Sequence, residues 1–137
     1  MGKYFTVKEL CKSQTAINKG IDNTPTNIIV KNLNRLIDNV LDPLREAWGK
    51  PIIVNSGYRC PALNKAVGGV PTSHHLKGMA ADITTGNVAD NSKLFDLAIT
   101  LKLPYCQLIW EKGGAAGPDW VHISYDANNI KRQILKL

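Results

Sequence analysis

The feature that most constrains the fold is an amphipathic repeat in the first third of the chain. From Ile29 to Leu44, apolar residues recur at steps of three and four, which is the spacing of one helix face. Thr24 and Pro25 precede the repeat as a predicted N-cap and first helical residue. Because proline disrupts a helix interior, Pro43 is expected to kink or restart this helix. Such a helix must bury its apolar face against a second layer of structure.

Capping residues predict two further helices. Thr6 and Glu9 have the spacing of a capping box, with threonine at the N-cap and glutamate three residues later, which predicts a short helix near the N-terminus. In the second half of the chain, Asp90 or Asn91 is expected to cap a helix that runs to about Leu101. The sequence therefore predicts three helices with distinct start signals.

The predicted strands lie mostly in the second half of the chain. Residues 13–23 and 60–72 are expected to be irregular, the latter with one turn of helix. The predicted strands are residues 51–55, 79–83, 107–111 and 120–125. Because helices come early and strands come late, we expect an α+β fold. In this fold, N-terminal helices pack on a small, mainly antiparallel sheet within a single domain of residues 1–137.

The composition fits one soluble globular domain. Of 137 residues, 44% are hydrophobic and 20% are charged, so the chain can bury a core without disulfides. No apolar run approaches the ~20 residues of a membrane span, and no apolar segment follows the start as in a signal peptide. We therefore expect a protein that is made in the cytoplasm and does not span a membrane. The three cysteines are widely spaced and are expected to be reduced thiols.

The net charge of +6 favours polyanionic partners, such as nucleic acid or an anionic bacterial envelope. The lysines and arginines are spread along the chain, apart from a small cluster in residues 131–136. They do not alternate with aromatic residues, so nucleic-acid binding is not expected.

The three histidines of the chain lie in two short segments. His74 and His75 precede Asp82, and His122 lies forty residues further on. Two histidines and an aspartate form a ligand set that suits catalytic zinc, which keeps a fourth position open for water. Gly78 would let the loop fold back so that His75 and Asp82 reach one ion. The alternative is a strand-capping aspartate beside solvated histidines.

Strand alternation indicates where a catalytic site would lie. On the last strand, Trp120 and His122 share one face, whereas Val121 and Ile123 share the opposite, apolar face. If the last two predicted strands form a hairpin, Glu111 pairs near Trp120 and projects on the side of His122. A carboxylate in that place could act as a general base in hydrolysis. A shift of one residue in register would remove it from this face.

Four ordered motifs carry a family resemblance. They are Gly-Tyr-Arg at 57–59, Asn-Lys-Ala-Val-Gly-Gly at 64–69, S-x-H-x-x-G-x-A-x-D at 73–82 and Trp-Val-His at 120–122. In this combination the chain resembles the zinc D-alanyl-D-alanine carboxypeptidase family. That family includes phage endolysin peptidases, and it shares its zinc site with the vancomycin-resistance dipeptidases and the hedgehog signalling domain. The resemblance covers nearly the whole chain and implies a fold of the same type.

The resemblance implies roles for individual residues. His75, Asp82 and His122 would be the zinc ligands, and His74 would be a bystander. Arg59 would bind the carbonyl or terminal carboxylate of the substrate, for which a forked cationic side chain is suited.

Three further residues would contact substrate if the resemblance holds. Ser73 would lie at the rim of the site, where a serine that merely forms a turn is the alternative. Tyr58 and Trp120 would line the groove, where core packing is the alternative for each.

The general base has two candidates. In some relatives it is a carboxylate three residues before the last histidine, which is Asp119 here. In the branch that this chain most resembles, it is a glutamate that ends the preceding strand, which is Glu111 here. Strand alternation favours Glu111, and proximity in sequence favours Asp119; we predict Glu111.

The resemblance implies a zinc-dependent, monomeric peptidase that cleaves amide bonds in the stem peptides of bacterial peptidoglycan. It would act as a D,D-carboxypeptidase or an endopeptidase. A phage lysis enzyme that reaches the wall through a holin pore, or by another export route, fits the basic charge and the absence of a predicted signal peptide. The alternative is a non-catalytic, zinc-containing module that binds the wall or a partner, for example in a phage tail.

Overall fold

A five-stranded sheet organises the computed structural model, which describes residues 2–137. The strands are β1 (Ile53–Ser56), β2 (Ala80–Thr84), β3 (Gln107–Glu111), β4 (Trp120–Ser124) and β5 (Gln133–Lys136). Their spatial order is β1-β2-β4-β3-β5, and all neighbours are antiparallel except β3 and β5. The prediction of an α+β fold with a mainly antiparallel sheet is confirmed, although β5 was not predicted.

Helices make up most of the first half of the chain. Within residues 2–137 they are α1 (Val7–Cys11), α2 (Gln14–Lys19), α3 (Asn27–Leu36), α4 (Asp42–Trp48), α5 (Pro61–Ala66) and α6 (Val88–Thr100). A π-helical turn, Ile37–Leu41, joins α3 to α4, and a 3-10 turn, His74–Lys77, comes before β2.

The amphipathic repeat forms α3, the π-helical turn and α4. Its start lies two residues later than predicted, because the side chain of Thr26, and not that of Thr24, accepts the Ile29 N–H at 3.4 Å. Pro43 lies in the first turn of α4, where a missing N–H costs little. A new helix therefore begins at Asp42, just before this proline and directly after the π-helical turn. The buried face of the repeat is Leu33, Leu36, Ile37, Val40, Leu41 and Leu44.

Two helix predictions were wrong in detail. The stretch predicted as irregular contains α2, which begins where the Ser13 hydroxyl accepts the Ala16 N–H at 3.1 Å and ends at left-handed Gly20. α6 begins earlier than predicted, because the Asn87 side chain accepts the Asp90 N–H at 3.0 Å. Asparagine is among the best N-cap residues, since its short side chain reaches the free N–H groups of the first turn.

The core lies between the helices and one face of the sheet. Ile83, Val121 and Ile123 form a single apolar cluster with residues of α3, α4 and α6. The opposite face of β2 and β4 carries the polar residues that the sequence singled out. No helix among residues 2–137 is long and apolar enough to cross a membrane.

Candidate metal centre

The sheet register brings two of the predicted ligands together. Asp82 of β2 and His122 of β4 are directly paired across the two strands, so their side chains project from the same face. The β3–β4 hairpin pairs Ile109 with His122 and Glu111 with Trp120. The predicted hairpin is therefore confirmed. Glu111 lies at a strand position on the same face of the sheet as His122.

His75 reaches this face from the 3-10 turn. The Ser73 hydroxyl accepts the His75 N–H at 3.1 Å and so begins the turn, and Gly78, with φ at 70°, ends it. A Cβ on Gly78 would lie 3.0 Å from atoms of Ile29, so glycine lets the turn pack closely on α3. The result is a histidine that is only 1% exposed.

The hydrogen bonds of His75 determine which ring nitrogen is free. Its Nδ1 lies 2.6 Å from the Gly57 carbonyl oxygen, which can only accept, so Nδ1 carries the proton and donates. Gly57 is itself fixed against α1, because the Tyr58 N–H donates to the Leu10 carbonyl at 2.8 Å. A Cβ on Gly57 would overlap that Leu10 carbonyl. The Nε2 lone pair of His75 therefore points away from the backbone.

The buried Nε2 atom of His75 accepts no hydrogen bond from the part of the chain that the structure describes. Nε2 of His75 is buried and has no hydrogen-bond partner within residues 2–137, yet it lies 3.3 Å from Oδ2 of Asp82. A neutral imidazole lone pair and a carboxylate oxygen are both acceptors, so they are favourable neighbours only when a metal ion or a proton lies between them. The donor set thus fits a metal ion.

His122 completes the set. Its Nδ1 lies 3.0 Å from Oδ1 of Asp82, and its ring meets that of His75 edge to face at 5.1 Å between centroids. One ligand atom from each of His75, Asp82 and His122 lies within 4.8 Å of the others. Burial alone would raise the pKa of Asp82, but the neighbouring imidazole groups of His122 and His75 outweigh burial and hold this pKa well below its usual range. The carboxylate is therefore ionised, as a metal ligand must be.

Arg59 lies beside the centre. Its backbone N–H donates to the His75 carbonyl at 3.0 Å, and its partly buried guanidinium feels the charge of Asp82. Burial lowers the pKa of Arg59 and the Asp82 charge opposes this, but a guanidinium remains protonated at neutral pH. Its Nε is buried without a hydrogen-bond partner in the described chain. Arg59 therefore keeps a free donor on a side chain whose charge interacts with Asp82.

The other predicted contact residues occupy different environments. Ser73 caps the 3-10 turn, so its hydroxyl has a structural use. Tyr58 is 7% exposed and packs in the core cluster. Trp120 is partly buried beside His122 along β4, and its indole N–H is buried with no acceptor among residues 2–137. His74 lies close enough to His122 that this neighbour, after burial, contributes to lowering the pKa of His74.

The two candidate bases differ in exposure. Glu111 is partly buried, whereas Asp119 is exposed and lies just before β4. The Asp119 N–H donates to the Glu111 carbonyl at 3.0 Å, so their backbones are adjacent. By strand alternation Asp119 has the parity of Val121, which faces the core side.

The sequence did not indicate that three asparagines are buried: Asn23, Asn64 and Asn91. Asn23 donates to the carbonyls of Cys11 and Tyr58 at 2.9 and 3.0 Å and accepts the Cys60 N–H at 2.8 Å. It thereby fixes the backbone on both sides of Arg59. A single sequence does not distinguish such an amide from one in an exposed turn, because both occur beside glycine, proline and threonine.

Two histidines and an aspartate converging on the open face of a small sheet define a class of protein with a three-ligand metal site. The profile of the peptidase M15 family matches residues 3–124, and the chain belongs to this family. The zinc D-Ala-D-Ala carboxypeptidase of Streptomyces albus G is 46% identical over 48 residues, which are 34% of this chain and 19% of that protein. The match thus spans about a fifth of the length of this relative. The predicted family resemblance is confirmed.

Proposed function

We propose that the protein is a zinc-dependent peptidase that hydrolyses amide bonds in peptidoglycan stem peptides, as a D,D-carboxypeptidase or an endopeptidase. The observation that carries this proposal is the buried, unpartnered Nε2 of His75, which faces a carboxylate oxygen 3.3 Å away and needs a cation. Membership of the peptidase M15 family and the name of the Streptomyces relative support zinc and peptide hydrolysis.

His75, Asp82 and His122 would hold the ion. Zinc bound by three protein ligands acts as a Lewis acid and lowers the pKa of a water in its open position towards ~7. The Gly57 carbonyl keeps the Nδ1 proton on His75 and so holds the ring in the orientation that a ligand requires.

Glu111 is the proposed general base. Its strand position shares the face of His122. It pairs with Trp120, two residue pairs along the hairpin from the Ile109–His122 pair. From there its carboxylate would take a proton from the attacking water and pass it to the leaving amine. Asp119 is the less favoured candidate, because it is exposed and has the opposite strand parity.

Arg59 is the proposed substrate-binding cation. Its guanidinium has an unpartnered Nε and interacts electrostatically with Asp82, and it would bind a substrate carboxylate or the charge that develops on the carbonyl oxygen. Ser73 and Trp120 would contribute hydrogen bonds at the margin of the site.

The proposed place of action is the bacterial cell wall. The net charge of +6 suits a monomer that adheres to an anionic envelope, and phage lysis is the biological setting we favour. Residues 1–137 would then act as one catalytic domain.

The test is digestion of purified peptidoglycan by the zinc-loaded protein, with fragments identified by mass spectrometry. We expect peptide-bond cleavage that a chelator stops, and a loss of about 10²–10⁴-fold in rate for Glu111→Gln with zinc still bound. Asp119→Asn is the matched comparison and should lose less. The reverse order would assign the base to Asp119. Zinc binding without cleavage would instead support a wall-binding module.

A further inference from the structure

We propose that Asn91 is a positioning residue that fixes the β3–β4 loop, and with it Glu111, relative to the metal ligands. This inference rests on the proposed peptidase function. The hydrogen-bond partners of the Asn91 side chain do not include His75, Asp82 or His122. Asn91 lies in the first turns of α6 and is only 1% exposed. Its effect would be exerted through the backbone that it holds.

Both halves of the Asn91 amide are used. Oδ1 accepts the backbone N–H and the hydroxyl of Thr85, each at 2.8 Å. Nδ2 donates to the Thr84 hydroxyl at 3.0 Å and to the carbonyls of Pro118 and Asp119 at 3.1 and 3.2 Å. One buried side chain therefore joins the end of β2 to the residues that lead into β4.

The glycines of the β3–β4 loop give independent evidence that this loop is docked on α6. A Cβ on Gly117 would overlap the Val88 carbonyl in the first turn of α6. Gly113 has φ at 71°, and a Cβ there would overlap the Gly117 carbonyl. The loop thus approaches α6 more closely than any side chain would allow.

The connected backbone carries the catalytic groups. Thr84 lies two residues after the ligand Asp82 on β2. On the other side, Asp119 is bound by Asn91 through its carbonyl and donates its N–H to the Glu111 carbonyl at 3.0 Å. Asn91 therefore helps to set the distance between Glu111 and the ligands. A displacement of about 1 Å in such a group can cost about 10²-fold in rate.

A purely structural role makes a different prediction. If Asn91 only satisfies buried polar groups, its loss lowers the stability of the whole sheet and leaves the folded fraction fully active. If it positions the loop, its loss frees residues 112–120 while β2 and the metal site remain intact.

The test uses the Asn91→Asp variant of the whole chain. This change keeps the acceptor for Thr85 but places an oxygen against the carbonyls of Pro118 and Asp119. Asn39→Asp is the matched control, because Asn39 donates to the Arg35 carbonyl on a helix remote from the loop.

We measure bound zinc, amide hydrogen exchange and steady-state kinetics on a stem peptide. For Asn91→Asp we expect unchanged zinc stoichiometry and at least about tenfold faster exchange in residues 112–120, with residues 80–83 still protected. We expect kcat to fall at least about tenfold while KM changes less than about threefold. The Asn39→Asp control should match the wild type in all three.

Exchange that accelerates throughout the sheet, or a normal kcat in the folded fraction, overturns the proposal. If Asn91→Asp does not fold, Gly117→Ala decides, because it disturbs the same contact from the loop side and should give the same pattern. A wild-type protein that binds zinc but cleaves no peptide contradicts the proposed function. In that case the exchange data still decide whether Asn91 holds the loop.

Discussion

The two faces of β2 and β4 are built from alternate residues of the same strands, yet they follow opposite physical rules. On one face, Ile83, Val121 and Ile123 are almost fully buried among the helices. On the other, Asp82 and His122 sit side by side and face the unpartnered nitrogen of His75. Burial of the first face stabilises the folded state, whereas the second face holds polar atoms that need an ion as a partner.

Strand alternation therefore separates the residues that stabilise the fold from those that can bind an ion. A change on the core face should alter the free energy of unfolding and leave the ligands in place. A change on the open face should alter metal binding and leave the core packed. Each prediction below tests one half of this separation.

The largest effect on folding is expected for Ile123→Ala on the core face. Ile123 is 0% exposed, and its truncation removes apolar contacts and leaves a cavity. We expect the free energy of unfolding to fall by about 2–5 kcal/mol, measured by urea denaturation of the metal-free protein. Zinc stoichiometry of the folded fraction should not change.

Ile53→Ala is the control for this prediction, because Ile53 is 52% exposed on an edge strand of the same sheet. It should cost no more than about 0.5 kcal/mol. Equal losses for the two variants would mean that the faces are not distinct in stability.

The next effect is stabilisation by zinc through the open face. An ion that binds only the folded state adds about 2.7 kcal/mol at a free concentration one hundred times its Kd. We expect this gain, measured by denaturation with and without zinc, to disappear in His75→Ala. His74→Ala is the matched control and should retain it, since His74 is outside the ligand set. An equal gain in both variants would contradict the assignment of His75.

Much of this separation could be predicted from the sequence. Alternation along Trp120–Ser124 placed His122 and the apolar residues on opposite faces, and the β3–β4 hairpin has the predicted register. The motif at 73–82 distinguished His75 from His74, and the structure groups His75 with Asp82 and His122. The strand faces follow from local periodicity, and the choice of His75 follows from the family resemblance of that motif.

What could not be predicted depends on contacts between distant segments. The free Nε2 of His75 follows from a bond to the Gly57 carbonyl, and the burial of Asn91 follows from the approach of a loop to α6. β5 pairs with β3 although its residues are largely exposed, so it has no apolar alternation to reveal it. The start of α3 was predicted at the wrong threonine because Thr24 and Thr26 are both suitable N-caps; in the structure Thr26 caps the helix and the Thr24 hydroxyl donates to Asp22.

The smallest expected effect is on how the stability of the metal-free protein falls at acid pH. The neighbouring imidazole groups of His122 and His75 outweigh burial and hold the pKa of Asp82 below its usual value of about 3.9. A carboxyl whose pKa is lower in the folded state contributes stability above about pH 4, and this contribution is lost as pH falls through the folded pKa. Denaturation midpoints measured from pH 7 to 3 in chelator should therefore fall less steeply for Asp82→Asn than for the wild type. Asp96→Asn, at an exposed position on α6, should follow the wild type. Parallel curves for all three proteins would show that the open face contributes nothing to folding without its ion.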